Sequence, residues 1–453
     1  MTTRLPAVNG ASDRHLDRAG VGVETAVLLL CVSLLVYALR PFLFTGASIL
    51  VHDALYWEYP IFQSFAGSLM DGELPLWNPF PHAGEPTYPL LGHMRLLEPV
   101  TVVTVLAGQL FTSDIGILFC WNRFLQCVFM TTGAYLVLRS WTERFPVRLL
   151  LIPILFFSSF FFCSFRQHGF VFQFIWTPYV CYFLLRIVYF RENIWSNWLM
   201  LAAAIGINGQ SYYFSGVSVY LLVLISGLIL FRRDLIRGYC RGTSPLLRPA
   251  VAGGIVGMMM LPNVALLLER DRFVFPARMA PVGYEKLETD SALMQHEGSP
   301  ENVLPGSLMM PYSLVRFSGS FATGWEFLQM TSPNANMNVS GPSRSWGSPS
   351  EAYLYVGLLP WALGVLGLFF GEHDLKSVWL FATASLGLLM LGPGGYVHPV
   401  LYSLFPPLWF LRHTHTLLLF FELSFLYFTM LGLDVVFGRF TACSSMAGTN
   451  GAG

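Results

Sequence analysis

Ten apolar runs recur along this chain, most near the roughly 20 residues a helix needs to cross a bilayer. They cover 22–44, 114–138, 148–165, 170–190, 195–210, 212–231, 249–268, 352–371, 376–395 and 412–436. Backbone placed in hydrocarbon has no water to bond with, so each run is read as a helix that satisfies its own N–H and C=O groups. The predicted fold class is therefore an all-α polytopic membrane protein. Composition points the same way. Charged residues make up 11% of the chain, against roughly 25% in soluble domains, and the mean hydropathy is +0.56.

The 26 basic and 26 acidic residues cancel, which gives no electrostatic footprint for nucleic acid. The seven cysteines, Cys31, Cys120, Cys127, Cys163, Cys181, Cys240 and Cys443, stand outside the two long polar loops and lack metal-type spacing. They read as small apolar side chains rather than a disulfide framework. The first run, Val21 to Phe44, ends in "LRPFLF" and not at a small-residue cleavage site, so it reads as an uncleaved first helix.

Basic residues in the short connections set the orientation. Arg139, Arg144 and Arg148 fall on one side with Arg186, Arg191, Arg232, Arg233, Arg237, Arg241 and Arg248, and the helix count adds Lys376 and Arg439. The opposite short turns, "FRQHG" (165–169) and "NGQSYY" (208–213), hold only Arg166. The expected arrangement is a cytoplasmic tail over 1–21, a membrane domain over 22–438 and a cytoplasmic tail over 439–453. Outer loops one and two then span 45–112 and 270–350. The expected location is the cell inner membrane, crossed many times.

Loop one gathers His52, Asp53, Glu58, Asp71, Glu73, His82, Glu85, His93, Arg95 and Glu98 among aromatic and apolar residues. The stretch 54–70 predicts an interfacial helix with Tyr56, Trp57 and Tyr59 at headgroup level. At about 100° per residue Asp53 shares a face with Tyr56 and Trp57, whereas Glu58 points elsewhere. The two acids do not form a pair through local helix geometry. On periodicity alone, the first reading of this loop is a re-entrant or interfacial hairpin whose acids face water.

The order of motifs resembles the YfhO-type bacterial membrane proteins, placed among GT-C-fold glycosyltransferases that use polyprenyl-phosphate sugars. The resemblance runs through "HDALYWEYP" (52–60), "GELPLWNPFPHAGEP" (72–86), "HGFVFQFIWTP" (168–178), "INGQSYYF" (207–214), "EAYLYVGLLPWAL" (351–363) and "LFPPLWFLRHTHTLLLFFELSFLYFTMLGLD" (404–434). It departs from the family where the usual glycine pair reads "AGEP" and where a second arginine is replaced by "HTHT". Members of the family commonly run longer, so the chain reads as a short or truncated member.

The resemblance implies a GT-C-like bundle of about ten transmembrane helices with interfacial helices in loop one. It implies transfer of a sugar from a lipid-phosphate donor to a cell-envelope acceptor on the outer face. Asp53 maps onto the general base, with His52 beside it as a helper. For the donor phosphate the candidates are Arg412, with His413 and His415, and Arg95. A guanidinium suits bidentate phosphate contact, although a charge at a helix end also snorkels to the interface routinely. Glu58, Trp77, Asn78, His168, Gln210 and Glu351 are the expected substrate-lining residues. Helix capping for His168 and Gln210, and a favourable helix-dipole contact for Glu351, are the plainer readings. The expected partners are the lipid-linked donor, an envelope acceptor and membrane lipids. The resemblance requires no metal, and His52, Asp53, His82 and His93 are not spaced as a compact site.

A transporter or flippase for a lipid-linked sugar is the competing reading. It predicts charges along the interiors of several helices. The chain has few there, chiefly Arg123, Glu269 and Glu422.

Overall fold

The structure is a computed structural model that describes residues 12–45, 58–73, 77–78, 85–86, 98–158, 160–161, 175–192, 194–209, 214–240, 247–268, 358–390, 400, 404 and 417–449. All ten apolar runs carry a helix. In chain order the helices are α1 (Ser12–Ala38), α2 (Arg40–Thr45), α3 (Tyr59–Met70), α4 (Pro99–Gly108), α5 (Ile115–Arg139), α6 (Phe145–Phe156) and α7 (Thr177–Val188). They continue with α8 (Trp195–Gly209), α9 (Phe214–Phe231), α10 (Arg233–Cys240), α11 (Leu247–Leu268), α12 (Leu358–Phe370), α13 (Lys376–Met390) and α14 (Leu418–Thr449). Three stretches, Gly20–Ala38, Ile115–Arg139 and Leu419–Gly438, are long and apolar enough to cross a membrane. The other apolar helices are shorter. Beyond the expected all-α class there is one small addition, a two-residue antiparallel pairing of Trp77–Asn78 with Glu85–Pro86.

Large apolar side chains point outward, among them Leu29, Leu30, Leu34, Tyr37, Phe369 and Phe370. Water would penalise that surface and lipid would not, so the helices mark a membrane-associated protein. Inside, helices approach through small residues, as membrane bundles do. Gly364 and Gly367 of α12, and Gly371 just after it, meet Phe425, Phe428, Leu431 and Gly432 of α14. A Cβ on Gly206 or Gly209 of α8 would run into Met259 or Met260 of α11. The described cysteines Cys31, Cys120, Cys127 and Cys181 are free and buried, as small apolar side chains.

One expected span is shorter than the sequence suggested. The run 148–165 gives a helix that stops at Phe156. Pro153 lies inside it, and a proline has no N–H to give the carbonyl four residues back. The chain turns at 157–158, and Ser158 donates its hydroxyl to the Leu155 carbonyl (3.0 Å) while accepting from the Phe160 N–H (3.2 Å). That same N–H also reaches Glu422 Oε1 of α14 (3.0 Å). A fully buried carboxylate thus takes up a backbone donor that the helix break releases.

The basic connections come together at one end of the bundle, as their sequence parity predicts. Glu24 of α1 pairs with Arg139 Nε (2.8 Å) and Arg148 Nε (2.9 Å), and accepts from the Tyr135 hydroxyl (2.7 Å). Thr142 donates to Asp434 Oδ1 (2.9 Å), and Arg144 bonds the Asp434 carbonyl. Arg232 bridges Asp234 (3.0 Å) and Asp374 (3.6 Å). Trp141 stands at the centre, with ring contacts to Tyr189, Phe190, His373 and Tyr427.

His373, in the turn between α12 and α13, accepts from the Leu375 N–H (3.2 Å). Burial pushes its imidazole below its usual value, and the charges of Asp374 and Arg232 act on it in opposite senses. The unfolded chain therefore binds a proton more readily than the folded one below about pH 6.5, where free histidine titrates. Stability is full above that pH and falls as pH drops below it. Thermal unfolding of the purified protein at pH 7.5 and 5.5 should show a lower Tm at pH 5.5. The His373→Phe variant should lose most of that difference.

Candidate functional site

The opposite end of the bundle carries the other concentration of buried polar groups. Its scaffold is loop one. Helix α3 begins with Pro60 in its first turn, where a missing N–H costs nothing. It buries Ile61, Phe62, Phe65 and Ala66 against Val105 of α4 and Leu118 and Phe119 of α5. Edge-to-face contacts join Phe119 to Tyr59 (5.6 Å) and Phe62 (5.1 Å). Loop one is thus packed into the helices and does more than connect them. Residues 59–70 of the interfacial helix expected over 54–70 are present, while 54–57 lie outside the described residues.

Glu98 organises the second piece. It is 1% exposed, and its carboxylate caps α4 by accepting from Val100 N (3.0 Å), Thr101 N (2.9 Å) and Thr101 Oγ1 (3.2 Å). It also accepts from the Trp176 indole N–H (3.1 Å), just before α7. Gln126 Nε2 of α5 donates to Thr101 Oγ1 (2.9 Å). Asn208, at the end of α8, donates to Thr177 Oγ1 (3.0 Å). Four helices, α4, α5, α7 and α8, therefore meet through one polar layer at this end, with α3 seated on α4 and α5. An acid followed by proline at a helix start is a readable capping signal. The partnership of Glu98 with Trp176 is a tertiary fact that no local pattern announces.

Arg123 is the most buried cation of the layer, 2% exposed. Its guanidinium lies 5.7 Å from the Phe119 ring centre, and the carboxylate whose charge it feels is Glu58. Its Nε and Nη2 have no hydrogen-bond partner, and the amide oxygens of Asn122 and Gln126 beside it have none either. Glu58, at the start of α3, is itself buried. Of the expected substrate-lining residues it is the one whose side chain the structure describes, and it faces a cation inside the bundle.

Trp77 and Asn78 form the short pairing with Glu85 and Pro86, in the register Trp77 with Pro86 and Asn78 with Glu85. Asp53, His52, Arg95, His168, Gln210, Glu351, Arg412, His413 and His415 lie outside the described residues. Sequence reasoning noted Arg123 as an intramembrane charge but missed Glu98, Trp176 and Gln126 as members of the layer. No family model, no curated protein and no solved structure matches this chain.

Proposed function

We propose that this protein is a GT-C-type membrane glycosyltransferase of the YfhO kind. It would cross the membrane about ten times, with both tails cytoplasmic and loop one on the outer face. The observation that carries the reading is the seating of loop one. Helix α3 is buried on α5, and Glu58, five residues after Asp53, lies beside a fully buried arginine. A loop that only shields acids in water needs no such anchoring. One that must hold a base against a lipid-linked sugar does, because a small misplacement of a reacting group is costly in rate.

In the proposed reaction, Asp53 takes the proton from an acceptor hydroxyl as its oxygen bonds to the anomeric carbon of the sugar. The bond from that carbon to the lipid-phosphate oxygen breaks, and the phosphate leaves with the electron pair. Proton removal by a positioned side chain contributes about 10²- to 10⁴-fold. Asp53→Asn should therefore lower sugar transfer at least about a hundredfold while leaving protein amount and Tm unchanged. The test is comparison of envelope glycans in a deletion strain carrying wild type or Asp53→Asn. Full rescue by the variant overturns the proposed base.

Buried ionisable groups inside the helices favour a second reading, a lipid-linked sugar flippase. Arg123 and Glu422 are both buried within α5 and α14. Under that reading Asp53→Asn restores the glycans, and movement of a labelled lipid-linked sugar across vesicles depends on Glu422.

A further inference from the structure

We propose that Arg123 anchors a binding site for a phosphate group at the loop-one end of the bundle. A guanidinium keeps its charge at any pH a protein meets and carries five N–H donors in a fixed fork. Burying it without acceptors is expensive, so buried charges are normally paired and hydrogen-bonded. Arg123 sits in an apolar helix at 2% exposure with Nε and Nη2 unbonded. Ring contact with Phe119 at 5.7 Å gives only a weak cation–π attraction at that range. The described fold therefore leaves strong donors waiting for an acceptor with several oxygens.

Direction agrees with this assignment. Side chains on a helix lean toward its N-terminus, so the head of Arg123 leans toward Phe119, one turn nearer the start of α5. That start is capped by Asp114, whose Oδ1 accepts from Gly116 N (2.8 Å) and Ile117 N (3.2 Å), so those two donors of the helix start are already taken by a carboxylate. Tyr59 and Phe62 pack edge-to-face on Phe119, so the surroundings of the Arg123 head are apolar, an environment suited to a phosphate carried on a hydrocarbon chain. Glu58 supplies the negative charge that balances Arg123 when no ligand is bound. An arriving phosphate competes with Glu58 for the same cation.

The assignment rests on the proposed function only in taking the ligand to be lipid-linked. It is tested with the full chain in lipid nanodiscs and three probes: a polyprenyl monophosphate, the unphosphorylated polyprenol and inorganic phosphate. Wild type should bind the polyprenyl phosphate. Arg123→Gln should weaken that binding roughly 10- to 100-fold, as expected for loss of charged hydrogen bonds, without changing polyprenol binding. Arg123→Lys keeps the charge and loses the fork, so it should fold like wild type and bind with intermediate affinity. Glu58→Gln removes the competing anion and should tighten binding. Displacement by inorganic phosphate alone assigns the site to free phosphate, and displacement by the lipid form alone assigns it to the lipid-linked donor; either upholds the anion site. Unchanged affinity in both Arg123 variants overturns it. So does an equal loss of binding and of Tm in Arg123→Gln and Glu58→Gln, which would mark a purely structural pair. Wild type that binds neither phosphate overturns this site and the glycosyltransferase reading together. Wild-type binding lost in Arg123→Gln, with glycans fully rescued by Asp53→Asn, overturns the proposed function and leaves the site standing.

Discussion

Gly432→Leu is expected to keep the last helix from seating in the bundle. A Cβ at this position would lie 2.7 Å from the Leu363 carbonyl carbon and 3.0 Å from its Cα, with the carbonyl oxygen closer still. On the facing helix, a Cβ on Gly367 would lie 2.6 Å from Gly432 N. These neighbours are backbone, so no side-chain rotation relieves the overlap. Inserting bulk into a packed contact typically costs about 1–3 kcal/mol. Here the helices must part along the crossing, so a loss at or above the top of that range, about 3 kcal/mol, is expected. The better helix propensity of leucine returns less than about 1 kcal/mol. Size-exclusion profiles and Tm in detergent provide the readout. Gly253→Leu on α11 is the control, because a Cβ there meets nothing within 4 Å. Its effect should stay within about 1 kcal/mol and be stabilising, from helix propensity alone. A Gly432→Leu protein with the wild-type Tm would contradict the α12–α14 contact.

Glu24→Leu should come next in size. Glu24 is 4% exposed and holds two arginines and a tyrosine hydroxyl from α5 and α6. Removing it leaves the Arg139 and Arg148 side chains, 29% and 14% exposed, facing one another without an anion. Breaking a buried pair from one side costs about 3–5 kcal/mol. Partial exposure of the arginines lets water compensate some of this, so about 2–3 kcal/mol is expected. The double variant Glu24→Leu with Arg148→Leu should be more stable than the sum of the two single losses, because the second change removes a cation the first stranded. Strict additivity in Tm and in denaturant midpoint would show that Glu24 and Arg148 do not interact. The cluster also gives α1 its fastening. Much of this helix faces outward through Leu29, Leu30 and Leu34, while Cys31 and Leu35 pack into the core, so loss of Glu24 leaves α1 held by its apolar contacts alone.

Hydropathy alone located ten of the apolar helices, because a run that must satisfy its own backbone in lipid is readable from length and composition; the short apolar helix α4 (Pro99–Gly108) fell inside the expected loop one. Charge parity also placed Arg139, Arg148, Arg232 and Lys376 at one end, where Glu24, Asp374 and the Trp141 cluster now collect them. The early stop of α6 was half legible, since Pro153 was in view. Its other cause, the reach of Glu422 to the Phe160 N–H, joins residues 262 positions apart.

The candidate site divides along the same line. Loop one as a cluster of ionisable groups, and Arg123 as a charge inside a span, are sequence facts. The sequence also placed Glu58 on a different face from Asp53. What Glu58 does there was decided by packing, which turns α3 inward and sets the acid beside Arg123. Glu98 looked like one more loop carboxylate, and only the approach of α7 gave it Trp176. Local patterns report what a residue prefers along its own element. Desolvation and pairing depend on which distant element arrives opposite. The sequence by itself determined a helical, apolar, membrane-associated chain with its basic turns on one side. The tertiary structure decided which few charges are buried, and which partners they meet or still lack.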